Sequence, residues 1–311
     1  MLHRRTLMSM RPVLAHLAAG PLAPLQLIPS AIAAIAYALR VRTLARQDRP
    51  VDGLRQASFY GGLALIVVTL ASPLGHISDE LLAAHMTEHL LMADIGALLI
   101  VLGLTGPLIA PILRVHWIFR LRVIANPLIA FPIWAIDLFA WHIPVLYQAA
   151  IHHSGIHALE HAMFIACGVN MWMCLFGPLP MPRWFGNVAK LGYILGVRLT
   201  GALLGNIFVW SGTVFYPTYA HGERFWGVSP LSDQVAAGAV MMVEGSILTI
   251  VLFAWLFLRA AREGEERQDL LDLADARGVA LSEARATRAV AAGHGGALRR
   301  RLQAGSRRDP S

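Results

Sequence analysis

Apolar residues run through this chain in blocks of about twenty, separated by short polar stretches. Seven blocks stand out, at about 22–39, 57–73, 82–104, 127–150, 156–177, 190–213 and 232–258; the second is short. A helix rising about 1.5 Å per residue needs about 20 apolar residues to cross roughly 30 Å of hydrocarbon. The pattern predicts an all-α, polytopic membrane bundle of about seven transmembrane helices over residues 21–258. Residues 1–20 are expected to form an N-terminal tail. Residues 259–290 alternate acid and base, with Leu and Ala at helical spacing, and predict a cytoplasmic amphipathic helix. Residues 291–311, rich in Gly and Arg, predict a disordered basic end.

Composition supports a membrane protein. Of 311 residues, 56% are hydrophobic and only 14% charged, where a soluble domain carries about 25% charge. The net charge of +7 raises nucleic acid as a partner. No base-reading motif accompanies it, and the arginines have a topological explanation. Loop 40–56 holds Arg40, Arg42, Arg46, Arg49 and Arg55, and loop 105–126 holds Arg114, Arg120 and Arg122. Loops 74–81 and 151–155 hold neither Lys nor Arg. Positive residues stay on the cytoplasmic side, so the expected orientation is N-terminus outside and C-terminus cytoplasmic. Arg4, Arg5 and Arg11 oppose this but are outnumbered. Arg4-Arg5 faintly resembles a twin-arginine signal. Pro12, Pro21 and Pro24 interrupt the run that follows, so an uncleaved tail is expected. Cys167 and Cys174 lie seven apart on one helix face and cannot easily bridge each other.

That topology sorts the histidines. His85 and His89 fall in the first turns of the third block, roughly 5 and 10 Å below its outer end. His142 falls near the outer end of the fourth, and His157 and His161 in the first turns of the fifth, after a turn expected at Ser154-Gly155. His76, His152, His153 and His221 lie in outer loops or at their edges. Both His85/His89 and His157/His161 are i, i+4 pairs, which share one helix face and can reach one ion or flank one cofactor. Polar side chains in hydrocarbon are costly unless paired or functional. The predicted metal residues are therefore His85, His89, His142, His157 and His161. Imidazole ligation suits copper, zinc or iron. Copper is the hypothesis, with zinc or haem as alternatives. Met86, Met92 and Met163 lie nearby in sequence, where packing is their ordinary role.

Each pair also has glutamate before its second histidine, Glu88 and Glu160. This matches H-x-x-E-H, the motif of a class of zinc hydrolases in which glutamate activates a metal-bound water. Such enzymes use one motif, and no further carboxylate ligand is evident downstream. A membrane-embedded zinc hydrolase, a haem-binding electron carrier and a transporter are the rival readings. Glu88, Glu160 and Asp233 are the candidates for orienting ligands; Asp233 could equally cap the start of the last block. Asp94, Asp137, Arg198 and Glu244 fall near mid-bilayer. There Arg198 needs a carboxylate partner from Asp137, Glu244 or Asp94. Gly201 and Gly205 form G-x-x-x-G, consistent with close helix packing.

Four stretches carry a family resemblance: AHMTEHLLMADIGALLIVLGLTGPL at 84–108, WHIPVLYQAAIHHSGIHALEHAMF at 141–164, FYPTYA at 215–220 and SPLSDQVAAGAVMMVEG at 229–245. Together they resemble the CtaG family of caa3-type cytochrome c oxidase assembly factors, across about residues 55–258. Glu88 stands where members of that family often carry glutamine. The resemblance implies a non-enzymatic role in maturing a haem–copper oxidase. It would sit in a bacterial inner membrane with oxidase subunits and the lipid bilayer as partners; copper as cargo is the hypothesis added to it. The motif residues carried over are His85, His89, His142, His157, His161 and Asp233.

Overall fold

The computed structural model describes residues 23–116, 122–291 and 293–305. The expected N-terminal tail, residues 1–20, and the last residues of the chain, 306–311, lie outside them. The described residues form helices and connecting turns, with no strand among them. The chain divides into two compact units, up to Ile247 and from Leu248 onward.

Six helices are long and apolar enough to cross a membrane, or up to seven if one bent pair counts as a single span. α1 (Ala23–Ala45) and α2 (Gly53–Ala71) are joined by a short loop. Asp52 caps α2, accepting the Leu54 and Arg55 N–H groups. A one-and-a-half-turn helix, α3 (Pro73–Ser78), leads into α4 (Leu82–Gly103). After α5 (Gly106–Leu113) come the bent pair α6 (Pro127–Trp141) and α7 (Pro144–His152). Then follow α8 (Ser154–Phe176), α9 (Asn187–Trp210), the short α10 (Ala220–Trp226) and α11 (Pro230–Asp275). Apolar side chains such as Ile136, Leu203, Val243 and Ile247 stay exposed on the bundle's exterior, as a hydrocarbon solvent permits.

Three elements differ from the sequence expectation. The fourth apolar block is not one straight helix: α6 and α7 meet at 71° across His142-Ile143. Pro144 has no N–H to continue the helix, and the residue before a proline is pushed toward extended geometry. Ile143 accordingly has ψ near 127°. The expected turn at Ser154-Gly155 falls one residue earlier, at the extended His153, and Ser154 and Gly155 open α8. Finally, residues 295–305 form a helix where disorder is expected, and α11 runs unbroken through residue 259.

The second unit has its own small core. Leu270 and Ala274 of α11 pack with Val290 of α12 (Glu283–Ala291) and Leu302 of α13 (Gly295–Gly305). An ion pair of 2.6 Å joins Arg299 to Asp269. The i, i+4 spacing of Leu298 and Leu302 gives α13 an apolar stripe, which the high Gly and Arg content masks.

Within the first unit, α1 docks through Tyr37, stacked on Phe59 at 3.8 Å and donating to the Gly103 carbonyl. Close backbone contacts set the spacing around the site. A Cβ on Gly168 of α8 would overlap the Ala93 carbonyl of α4. Gly205 and Gly238 bring α9 against α11 in the same way, whereas Gly201 faces open space. Only the second glycine of the G-x-x-x-G pair therefore makes a close helix contact.

Candidate metal centre

α4 starts after an extended Leu81, whose side chain offers no cap. The first N–H groups of a helix need acceptors from elsewhere. Asp233 of α11 supplies them across 151 residues of sequence: its carboxylate accepts from Leu82 N–H at 2.6 Å and Ala83 N–H at 3.1 Å. Its neighbour Gln234 accepts from Phe215 N–H at 2.9 Å and donates to the Thr213 carbonyl at 3.0 Å. The Leu231-Ser232-Asp233-Gln234 start of α11 thus holds both α4 and the 213–215 segment. Asp233 serves as a cap, for a helix other than its own.

With its start pinned, α4 turns His85 and His89 inward, where both are buried, with ring centroids 4.3 Å apart. α8 presents His161, buried, and His157, partly buried, with their rings also 4.3 Å apart. The two pairs face each other: His85 to His157 at 5.5 Å and nearly parallel, His89 to His161 at 5.2 Å and edge-on. Donor atoms of His85, His89, His157 and Glu160 all lie within 4.8 Å of one another. Glu160 is buried, with Oε2 4.0 Å from His157 Nε2.

These rings lack protein partners. Both nitrogens of His85, His89 and His161, with His157 Nε2 and Glu160 Oε2, are buried without a hydrogen bond among the described residues. The Ser78 backbone approaches the His85 ring but does not reach hydrogen-bonding geometry. A buried donor or acceptor left unpaired costs about 1–3 kcal/mol. An ion that takes several lone pairs at once would satisfy such a cluster. Three imidazoles and a carboxylate suit copper or zinc.

The predicted residues separate into distinct roles. His85, His89 and His157 converge with Glu160. His161 completes the ring array beside them. His142 turns elsewhere: Nδ1 lies 2.6 Å from the Leu138 carbonyl and Nε2 3.4 Å from Met86 Sδ. Glu88 is buried but lies against Ser78 and Gly75, outside the donor group. The two H-x-x-E-H motifs are therefore not equivalent. His152, His153 and His221 are exposed.

Tyrosines from two of the stretches quoted above, none of them named there as a site residue, close one side. Tyr147 of α7 and Tyr219 share a 2.6 Å hydroxyl contact, with rings 5.3 and 6.4 Å from His85. Tyr216 stacks on Tyr147 at 3.9 Å and donates to the His142 carbonyl at 2.7 Å. The Phe215–Ala220 stretch flagged in the sequence is thus the clamp on the α6–α7 bend and on the rim of the cluster.

Deeper in the bundle, Arg198 of α9 makes two bonds to Asp94, at 2.6 and 3.1 Å, and lies 3.6 Å from Glu244 of α11. Trp172 covers the guanidinium at 5.2 Å and donates to the Asp94 carbonyl at 3.0 Å. That carbonyl belongs to a π-helical stretch, Leu90–Gly96, inside α4. Wide turns of this kind are frequent at functional sites. Asp137 stands apart from the ion pair, with Cys167 and Trp141 near it and neither carboxylate oxygen hydrogen-bonded.

Fold and site together define a polytopic helix-bundle membrane protein with a buried polyhistidine centre. The family described as cytochrome c oxidase caa3 assembly factor matches residues 35–263. The chain belongs to that family. Uncharacterized proteins of Mycobacterium bovis and Mycobacterium tuberculosis are each 22% identical to it over 249 residues, covering 75% of this chain. The chain spans only 38% of the length of those curated relatives. No solved structure matches it.

Proposed function

We propose that this protein serves the maturation of a bacterial haem–copper oxidase by holding copper, as cargo, at the cluster of His85, His89, His157 and Glu160. The observation that carries this reading is the convergence of those four donors within 4.8 Å. They come from two helices, in a place where both nitrogens of His85 and His89 and Nε2 of His157 have no hydrogen-bond partner among the described residues. His161 lies where a fourth imidazole can exchange with the others during loading or release.

Loop arginines favour the orientation that puts this end of the bundle at the outer face of the cell membrane. A donor of copper to an outward-opening oxidase centre needs that placement. The chain's role is holding and release, without turnover of a substrate. Of the two glutamates a hydrolase could use as base, Glu88 lies outside the donor group and Glu160 stands within it, in the place of a ligand.

Metal analysis and absorption spectroscopy on purified wild type and His85→Ala, with oxidase activity in a deletion strain, test the proposal. Expected results are bound copper in the wild type, its loss in His85→Ala, and failure of that variant to restore oxidase activity. A His85→Ala protein that restores activity fully removes the cluster from the function. A Soret band in the purified protein transfers the site to haem.

A further inference from the structure

The bend after α6 leaves a second group of donors that the cluster does not use. Because the helix ends at Trp141, the His142 N–H turns back to the Ala140 carbonyl. The Leu138 carbonyl, which would have taken that N–H in a continuing helix, receives the His142 ring instead, at 2.6 Å from Nδ1. A carbonyl can only accept, so Nδ1 carries the proton. In a neutral imidazole the other nitrogen, Nε2, then presents a lone pair. What it faces at 3.4 Å is Met86 Sδ, a thioether with lone pairs and no proton to give. At that contact the two atoms offer lone pairs to one buried place, where a single electrophile could be shared between them. Reversing the tautomer only sets two acceptors against each other at the 2.6 Å contact with the carbonyl.

The surroundings narrow the choice of electrophile. Met86, His142, His89, Met241, Trp134 and Asp94 line a cavity of about 60 Å³. Met86, His142 and Met241 are each less than a tenth exposed. Asp94 is held by Arg198. The remaining donors are thioether sulfur and imidazole, a soft set that selects Cu(I). Metal–nitrogen and metal–sulfur bonds of about 2.0 and 2.3 Å, the values for zinc, spanning the 3.4 Å gap subtend about 105° at the ion. That is close to a tetrahedral angle, and Met241 and His89 line the same cavity. A ligating histidine whose other nitrogen donates to a backbone carbonyl is the usual arrangement around protein metals.

We propose that His142 Nε2 and Met86 Sδ, with Met241 beside them, form a second, thioether-containing site that takes monovalent copper next to the histidine cluster. The inference goes beyond the proposed function and stands on its own donors. The cluster is built for a borderline ion and this pocket for a soft one, and His89 lies between the two.

The test is Cu(I) loading of the full-length protein in detergent under anaerobic conditions. It is read by copper K-edge absorption and by competition with a Cu(I) chelator. Wild type is expected to show a sulfur shell near about 2.3 Å. Met86→Leu, close in volume and apolar, is expected to weaken that shell, and Met86→Leu with Met241→Leu to abolish it. The same variants should release one Cu(I) to the chelator at least ten-fold more readily, with Zn(II) binding unchanged. Copper bound through nitrogen and oxygen alone overturns the second site and leaves the cluster standing. A sulfur shell that survives the double variant also overturns it, because the sulfur then comes from elsewhere. Failure to bind copper in any form overturns both sites. A His142 ring with both nitrogens protonated in the Cu(I)-loaded protein, read by nitrogen NMR, identifies the shared electrophile as a proton and overturns the proposal.

Discussion

Asp233 offers the sharpest test of how the site is built. It touches no member of the cluster's donor group, yet it holds the helix that carries two of them. Replacing it with alanine removes two charge-assisted bonds, of 2.6 and 3.1 Å, to the Leu82 and Ala83 N–H groups. Asp233 is only 2% exposed, so water cannot readily substitute. Each abandoned N–H costs about 1–3 kcal/mol, and loss of an ordinary cap costs about 0.5–2 kcal/mol. The expected destabilisation is therefore about 2–4 kcal/mol for Asp233→Ala. Asp233→Asn keeps one acceptor oxygen and places an amide N–H₂ against a backbone donor, so about half that loss is expected or slightly more. His85 lies three residues after Leu82, and loosening the first turn of α4 spreads its position. If about 1.4 kcal/mol of that loss reaches the bound state, metal affinity falls ten-fold. Thermal unfolding in detergent and metal titration on the same preparations read both effects. Stability and affinity should fall together, with Asn intermediate. An Asp233→Ala protein that loses metal at wild-type stability would make Asp233 a ligand and refute the capping argument. One with both properties unchanged would refute the whole construction.

Three further outcomes follow from the same geometry. Glu88→Gln should leave metal content and oxidase support within about two-fold of wild type; a loss as deep as that of His85→Ala would restore the hydrolase reading. Asp94→Asn should destabilise the bundle by about 3–5 kcal/mol, the cost of leaving a buried charge unpaired, while Glu244→Gln, at 3.6 Å from Arg198, should cost less than half as much. Equal losses in unfolding experiments would contradict the bidentate Asp94 pair as the dominant contact. Gly168→Ala should push α8 from α4 at the Ala93 carbonyl and lower stability by about 1–3 kcal/mol, with weaker metal binding because the two histidine pairs sit on those two helices.

Much of the arrangement was open to reading before any coordinates. The span count follows from block length, because hydrocarbon thickness fixes how many apolar residues a helix needs. The pairing of His85 with His89, and of His157 with His161, follows from helical periodicity, which places i and i+4 on one face. The bend at His142 was legible too: Ile143-Pro144 is a helix boundary signal, overlooked because the hydrophobic run continues through it. The helix at 295–305 carried its own signal in Leu298 and Leu302, hidden beneath a composition that reads as disorder.

What the linear chain could not supply are relations between residues far apart in it. Periodicity shows which side of a helix a residue occupies, but not which neighbour that side meets. For this reason Asp233 had two equal readings and emerged as the cap of another helix. Arg198 had three candidate partners, and packing selected Asp94 and Glu244 while leaving Asp137 aside. His142 was grouped with the cluster by depth and by the family resemblance, whereas the α6–α7 bend and a freed carbonyl turn its ring toward Leu138 and Met86. Local sequence determined the elements and the residue types with the chemistry; tertiary packing decided which lone pairs share a space, because that depends on how the helices cross.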